Sequence, residues 1–361
     1  MWGGTAKCAG AMVIIAIFFS LISGMMMSRA HAAAVVGKTR TVTIAPPEKK
    51  GVDKLRADYR RPNSIPFPKD NPYTAEKVAL GKKLYFDTRL SKFHVQSCAS
   101  CHNPAFAWGD GQPKGVGNLM KELGRRSPTI INAAYGQIFM WDGRMASLEQ
   151  QALGPITTGA EMGLSLPELV KRLKAIPEYK PAFEAAFPGK GITEEGVAKA
   201  IATYERTVVS GRAPFDAWVE GDDKAISESA KRGFVLFNNK ANCNLCHASW
   251  RFTDDSFHDI GLKDEDIGRG KFLKEVEKAQ HAFKTPGLRE ITLRGPYMHD
   301  GSLATLADVV EHYNTGGVDR PSRSDIIKPL GLTTQEKADL VAFMHTLTSD
   351  VDPTTVPVLP R

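Results

Sequence analysis

The chain has 361 residues, enough for two ordinary domains. Apolar residues make up 42% and charged residues 24%, which excludes a disordered chain, a collagen-like fibre and a polytopic membrane protein. Lys and Arg number 47 against 40 Asp and Glu, a formal net charge of +7. Basic residues form no long block, however, so no nucleic acid is expected as a partner. Five cysteines are too few to staple a secreted domain of this size with disulfides.

The first 32 residues are predicted to be a signal peptide. Residues 11–27 are an almost unbroken apolar run, and residues 30–32 have the small-x-small pattern of a cleavage site. The protein is therefore expected in the periplasm, with a membrane as a partner only if the apolar run stays uncleaved as an anchor. Residues 33–72 are polar and punctuated by prolines, and we expect an extended arm there that contributes to no core.

Beyond the arm, apolar residues recur three and four positions apart, which is typical of helices. The first helix is expected to begin after Thr74, which would act as its N-cap. Long alternating strand patterns are absent from the sequence, and long Gly- and Pro-rich segments separate the helical ones. The sequence therefore predicts a mainly α fold with long loops. The further predicted helices cover residues 166–176, 193–209, 227–238, 304–313 and 334–347.

Four cysteines remain beyond the signal peptide, in the motifs Cys98-Ala-Ser-Cys101-His102 and Cys243-Asn-Leu-Cys246-His247. Cys-x-x-Cys-His is the attachment signature of c-type haem. The two thiols reach the two vinyl groups of one porphyrin, and the histidine binds its iron. A zinc site would need four ligands close together, and a redox-active cysteine pair needs no adjacent histidine. We therefore predict two covalently bound c-type haems.

Several further blocks occur in one order along the chain, at residues 80–87, 89–91, 126–129, 141–144, 154–155, 161–162, 283–286 and 296–301. Together with the two motifs they resemble the bacterial di-haem cytochrome c peroxidases and, within that superfamily, the MauG branch. The resemblance implies two cytochrome c-like domains with one haem each. We place the N-terminal, peroxidatic domain at residues 73–212 and the C-terminal, electron-transfer domain at residues 213–361.

The resemblance also implies which residues face the first haem. Family members that need reductive activation carry a histidine in the loop after the first motif, but residues 103–126 contain none. We therefore expect an open iron held by His102, with His94 as the alternative sixth ligand. Glu161 falls on the family's active-site glutamate, which would transfer protons during peroxide cleavage, unless it is an ordinary surface charge. Gln151 matches another residue of this pocket and would hydrogen-bond the bound oxygen.

At the second haem, the sixth ligand of family members lies a fixed number of residues after the block that contains His299. That distance reaches Tyr313, and the MauG branch has tyrosine there. A phenolate is an anionic ligand that stabilises oxidised iron. His312 is the competing ligand, followed by Met298 and Met344. His299 itself is expected to bond a haem propionate rather than iron.

Two more positions carry meaning only through the resemblance. Trp141 matches a tryptophan that lies between the haems and relays electrons, although a buried indole is often only part of a core. Arg126 stands where the family has an Asn that binds calcium. A guanidinium has donors only and cannot coordinate a cation. Either calcium is absent and Arg126 supplies the positive charge, or the site is rebuilt from other residues; we favour absence.

Three functions remain after these steps. In the first, hydrogen peroxide reacts at the first haem, and both haems oxidise a Tyr or Trp on a partner protein. The second is a plain cytochrome c peroxidase that reduces peroxide with electrons from a small cytochrome or copper protein. The third is a non-catalytic di-haem electron carrier. A Tyr313 ligand favours the first, because a low-potential haem is a poor acceptor from a high-potential donor.

Overall fold

A computed structural model describes residues 51–350 and 354–361. The predicted signal peptide, residues 1–32, and the first part of the predicted arm, residues 33–50, lie outside the described residues. Among the helices of the described ranges, none is both long and apolar enough to cross a membrane.

The described residues form a mainly α fold, as predicted, joined by long loops with short 3₁₀ turns. Two strands of two residues each, β1 (Phe257–His258) and β2 (Phe283–Lys284), pair antiparallel with Phe257 opposite Lys284. The α-helices are α1 (Val52–Ala57), α2 (Ala75–Phe86), α3 (Cys98–Cys101), α4 (Leu148–Thr157), α5 (Leu166–Lys174), α6 (Tyr179–Ala186), α7 (Glu194–Thr207), α8 (Pro214–Val219), α9 (Glu228–Asn238), α10 (Leu306–Thr315) and α11 (Thr334–His345).

Side-chain caps explain where the predicted helices begin. Thr74 caps α2 by accepting a hydrogen bond from the Lys77 amide, at 3.2 Å. Thr305 and Thr333 cap α10 and α11 in the same way and form capping boxes. Helices α4 and α6 were not among the predicted helices, and each contains a proline. Pro155 lies near the end of α4 and Pro181 in the first turn of α6, and a first-turn proline lacks only an amide that would be unpaired anyway.

Two hydrophobic clusters make up the core of the described residues. The first draws on residues between Leu80 and Val208, and in it α2 crosses α7 so closely that a Cβ on Gly81 would lie 1.9 Å from the carbonyl oxygen of Ala200. The second draws mainly on residues between Phe215 and Leu347, and α9 crosses α11 there. Each cluster thus forms around one close helix crossing, with one Cys-x-x-Cys-His motif between its two helices in the chain.

The described part of the predicted arm is not merely extended. It contains α1, and Leu55 and Tyr59 are only 7% and 3% exposed because they pack into the second cluster. The Tyr59 ring stacks on Phe252 at 4.9 Å, and its hydroxyl donates to Asn238 Oδ1 at 2.8 Å. The expectation of a coreless arm was wrong here, since two apolar residues in a polar stretch can complete a core built by distant segments.

Candidate haem sites

The first motif forms a single helical turn, α3. Ser97 closes a capping box with Ser100, and the His102 amide donates to the Cys98 carbonyl at 2.9 Å. Burial raises the pKa of the Cys101 thiol to about 11, with the carboxylates of Asp110 and Glu161 adding to the effect. Burial also lowers the pKa of His102, which keeps the neutral imidazole that iron binds.

The second motif is wound more tightly, as a 3₁₀ turn over Cys243–Leu245. The His247 amide bonds the Cys243 carbonyl at 2.8 Å, and His247 Nδ1 lies 2.8 Å from the carbonyl oxygen of Phe252. This second contact fixes the tautomer with a proton on Nδ1 and leaves Nε2 free for a metal. Burial lowers the pKa of this imidazole as well. None of the four motif cysteines forms a disulfide with another, so all four remain for haem attachment.

A cavity of about 330 Å³ adjoins the second motif. Cys243, Cys246 and His247 line it on one side, together with aliphatic side chains, and Tyr313 also reaches it. Burial raises the pKa of Tyr313, with the two nearby motif thiols contributing, so the phenol is neutral until a cation binds it.

Cationic and polar side chains line another part of this cavity. Arg126 Nε and Arg294 Nε are buried there without a hydrogen-bond partner, and His299 Nε2, which also makes no hydrogen bond, lies 3.6 Å from Asp264 Oδ1. Burial and the neighbouring Arg126 lower the pKa of Arg294 to about 10. Buried donors of this kind require an acceptor, and an anion would satisfy them best. The residues therefore fit a haem, which carries two thiol-reactive vinyl groups and two anionic propionates.

The alternative ligands for the second iron occupy different surroundings. His312 Nε2 lies 3.0 Å from the carbonyl oxygen of Ile260, and the residue does not line the cavity. Met298 and Met344 do line it, Met344 from helix α11. The cavity thus brings together Tyr313 and two methionines but not His312.

Residues expected above the first iron lie in and after α4. The loop that follows folds back on this helix, with the Met162 amide bonding the Pro155 carbonyl at 3.1 Å. Gln151 lies in α4 and Glu161 in the loop, and both are partly buried. Burial raises the pKa of Glu161, and the charge of Arg144 opposes that rise. His94, the alternative ligand, is exposed in a separate turn.

Trp141 contacts residues of the first half of the chain, up to residue 212, and of the second half, from residue 213 onward. Its Nε1 donates to the Arg126 carbonyl at 3.0 Å, and its own carbonyl accepts from the Lys284 amide at 2.8 Å. The indole meets the ring of His299 edge to face at 6.3 Å, and His299 stacks on Phe283 at 3.5 Å. Trp141 also lines the cavity beside the second motif. This position between the two halves suits the expected relay.

Sequence reasoning missed one residue that lines the cavity and one group of neighbouring polar side chains. Arg294 gave no signal, because a lone arginine in a loop does not reveal that it is buried beside a cavity. The second is a trio whose donor atoms lie within 4.8 Å of one another, Cys246, Asp254 and His258. The Cys246 sulfur belongs to the haem motif and would be a thioether once haem is attached, so we do not assign a separate metal site to the trio.

A mainly α fold with two Cys-x-x-Cys-His motifs is the arrangement of a di-haem c-type protein. Residues 75–224 match the family described as di-haem cytochrome c peroxidase. The chain is 50% identical to the methylamine utilization protein MauG of Methylorubrum extorquens, over 92% of this chain and 94% of that protein. It is 48% identical to the MauG of Methylophilus methylotrophus, over 85% and 92%.

The chain therefore belongs to the di-haem cytochrome c peroxidase and MauG family, which confirms the family expected from sequence. Among solved structures, it resembles a MauG-like protein associated with microbial copper homeostasis, at 32% identity and a TM-score of 0.74, covering 80% of this chain and 95% of that one. Membership makes the protein a haem-dependent peroxidase and implies two c-type haems, hydrogen peroxide and a protein redox partner or substrate.

Proposed function

We propose that this protein is exported to the periplasm and uses hydrogen peroxide to oxidise a Tyr or Trp on a partner protein, in the manner of the MauG branch. The identity to two proteins called MauG supports this reading over the general peroxidase. The export step rests on residues 1–32, and the mass of the mature protein tests it, because cleavage after residue 32 removes a defined segment.

Each haem would be held by its motif. Cys98 and Cys101 would form the thioethers of the first haem, and Cys243 and Cys246 those of the second. When bound, the haems supply the iron that reacts with peroxide and the two centres that share oxidising equivalents. His102 and His247 would bind iron through Nε2, and the contact of His247 Nδ1 with Phe252 supports this for the second site.

Glu161 would take a proton from one peroxide oxygen and return it to the other. The work requires a carboxylate with a raised proton affinity in a partly buried place, and burial raises the pKa of Glu161 accordingly. Gln151, in the helix that the Glu161 loop packs on, would hydrogen-bond the bound oxygen. Trp141 would carry electrons between the two irons.

The observation that carries the proposal is the difference between two adjacent residues of α10. Tyr313 lines the cavity with the second motif, whereas the imidazole of His312 is held by a backbone carbonyl. A phenolate on the second iron would stabilise its oxidised states, as storage of oxidising equivalents requires.

Replacing Tyr313 tests this directly. Tyr313→Met should raise the reduction potential of the second haem and abolish oxidation of a partner protein, because neutral sulfur stabilises oxidised iron less than anionic oxygen does. His312→Gln is the matched control and should leave both properties nearly intact. A redox titration in which His312→Gln, and not Tyr313→Met, moves the potential would overturn the assignment.

The plain cytochrome c peroxidase is the second candidate, and Met344 favours it. This methionine also lines the cavity, and a thioether ligand would give the second haem the high potential that a small cytochrome or copper donor needs. Unchanged spectra in Tyr313→Met together with loss of the low-spin haem in Met344→Ala would select this candidate. A non-catalytic carrier would show no reaction with peroxide at all.

We also propose that no calcium lies between the haems. The guanidinium of Arg126 is buried there, and its Nη1 donates to the carbonyl oxygen of Arg294 at 2.8 Å. A cation is thus already bound to that oxygen. Treatment with a strong chelator should leave the spectra and the peroxide reaction unchanged, whereas loss of activity restored by calcium would contradict the proposal.

A further inference from the structure

We propose that Arg125 is a positioning residue that holds Trp141 in place between the two halves of the molecule. The inference rests on the proposed relay at Trp141 and assigns a separate residue to its support. It concerns the fixed placement of the indole, not a new step of the reaction.

The carboxylate beside the indole is the first partner of Arg125. Asp142, the residue after Trp141, is 2% exposed. Its Oδ2 accepts from Arg125 Nη1 at 2.6 Å and from Arg144 Nη1 at 2.7 Å. A buried carboxylate with two guanidinium partners has little freedom, so the backbone that carries Trp141 is anchored from this side.

The second partner of Arg125 comes from the other half of the chain. Arg125 Nε donates to Asp266 Oδ2 at 2.6 Å, and Nη2 donates to Asp266 Oδ1 at 3.0 Å. This is the bidentate geometry that an arginine fork makes with a carboxylate. The guanidinium therefore uses one nitrogen for Asp142 and two for Asp266, and it links the two segments without an intermediary. Burial raises the pKa of Asp266, but hydrogen bonds from Arg125, Lys271 and the Gly268 amide hold it well below the usual range.

The turn that carries Trp141 has no room to shift toward the second half. Gly143 adopts a φ of +71°, and a Cβ there would lie 2.2 Å from the ring of Phe257 in β1. Arg269 Nη1 bonds the Asp142 carbonyl at 2.9 Å. With the backbone pressed on β1, Arg125 and Arg144 together hold the Asp142 carboxylate, and Arg125 also links it to the second half through Asp266.

Arg125 also packs on an aromatic ring one step away from the indole. Its guanidinium carbon lies 5.0 Å from the ring centre of Phe283, which stacks on His299. His299 in turn is the ring that Trp141 meets edge to face. Arg125 thus contacts the far side of this chain of rings as well as the carboxylate next to Trp141.

Placement matters because reacting groups held about 1 Å out of position can lose up to about 10²-fold in rate. Replacement by lysine would keep the charge but not the fork, since an ammonium cannot bind Asp266 in bidentate fashion while reaching Asp142. The rate of electron transfer between the haems in Arg125→Lys should therefore lie between the rates of the natural protein and of Arg125→Gln.

The test uses the full protein with both haems and measures how fast an electron equilibrates between them after partial reduction. We expect Arg125→Gln to slow this step by about 10-fold to 10²-fold. Arg125→Lys should recover part of the rate. Lys240→Gln, which removes the remote Lys240–Glu336 ion pair, is the matched control and should leave the rate unchanged.

A native rate in Arg125→Gln would overturn the inference even if its unfolding temperature fell, since stability alone is what a merely structural ion pair would supply. If Arg125→Gln fails to incorporate haem, the same rate is measured in Asp266→Asn. This variant weakens the bonds of Arg125 to Asp266 but leaves its bond to Asp142, and a native rate in it would also contradict the inference. Trp141→Phe separates this inference from the function on which it rests. A native rate in Trp141→Phe would show that Trp141 is not the relay. A slow rate in Trp141→Phe together with a native rate in Arg125→Gln would keep the relay and contradict only the positioning role of Arg125.

Discussion

In the first half of the molecule the haem motif forms one turn of α-helix, Cys98–Cys101, whereas in the second half Cys243–Leu245 forms a tighter 3₁₀ turn. Both motifs follow the first helix of a close crossing, α2 with α7 and α9 with α11. A glycine permits each crossing, since a Cβ on Gly81 or Gly233 would lie about 2 Å from a carbonyl oxygen of the facing helix. The helix crossing beside each motif is thus built in the same way twice, although the turns of the two motifs differ.

The halves differ in what each offers near its motif. The first half has Glu161 on a loop, a carboxylate whose pKa burial raises. The second half has Tyr313 on a helix, a phenol that reaches the cavity beside its motif. A loop carboxylate suits proton transfer to a ligand that comes and goes, and a helical phenol suits permanent coordination. Under the proposed function, the two halves share one scaffold and differ in chemistry through the residue offered near each motif, Glu161 or Tyr313.

The largest expected effect concerns Glu161 and should appear in the first half only. Glu161→Gln keeps the size of the side chain but removes proton transfer, so peroxide-driven turnover should fall by about 10²–10⁴-fold. The spectra and potential of the second haem should stay as they are. Stopped-flow mixing with peroxide measures the effect. Glu122→Gln, at an exposed carboxylate, is a control, and full turnover in Glu161→Gln would assign proton transfer to another group.

The two helix crossings can be broken separately. Gly81→Ala places a methyl group against the carbonyl of Ala200, and Gly233→Ala places one against that of Asp339. Overpacking of this kind costs about 1–3 kcal/mol, and more where backbone must move. Each substitution should lower the unfolding temperature and perturb chiefly the haem of its own half.

Gly124→Ala serves as the control for both glycine substitutions, because a Cβ there would meet nothing within 4 Å. Thermal unfolding followed at the absorption of each haem makes the measurement. Equal perturbation of both haems by Gly81→Ala would show that the halves do not respond separately.

A smaller effect concerns the pH at which the first half works. Glu161 must be ionised to accept a proton, so activity should fall as the pH drops through its pKa, which burial raises and Arg144 lowers. Arg144→Gln removes the opposing charge and should move this acid limb to higher pH. Since exposed charge pairs are worth about 0.2–1 kcal/mol, the shift should stay below about one pH unit.

The pH dependence of the peroxide reaction measures this shift, and Arg144→Lys should restore the limb because it restores the charge. A limb that moves to lower pH in Arg144→Gln would show that another group controls it. The spectrum and reduction potential of the second haem should not change over this pH range, because Glu161 belongs to the first half.

How much the sequence could predict also differs between local and distant features. The motifs and the helix cap at Thr74 depend on neighbours in the chain and were predicted. The link from Arg125 to Asp266 joins residues 141 positions apart, and no local pattern marks it. The burial of Tyr59 was missed for the same reason, because a core assembled from distant segments leaves no periodic trace in a short polar stretch.

The last expected effect concerns stability rather than activity; it tests that missed contact and belongs to the second half alone. Tyr59→Phe keeps the ring on Phe252 but removes the hydroxyl that donates to Asn238 Oδ1, which leaves a buried acceptor without this donor. A loss of about 0.5–1.5 kcal/mol is expected, or a few degrees in unfolding temperature. Tyr135→Phe is the matched control, since that hydroxyl bonds the Ser64 carbonyl in an exposed place and should contribute almost nothing. Because Tyr59 packs only into the second cluster, the haem of the second half should lose its native absorption first on heating. The prediction is contradicted if the first haem loses its native absorption first, or if Tyr135→Phe lowers stability as much as Tyr59→Phe does. In either case the hydrogen bond from Tyr59 to Asn238 would not be what stabilises the second half.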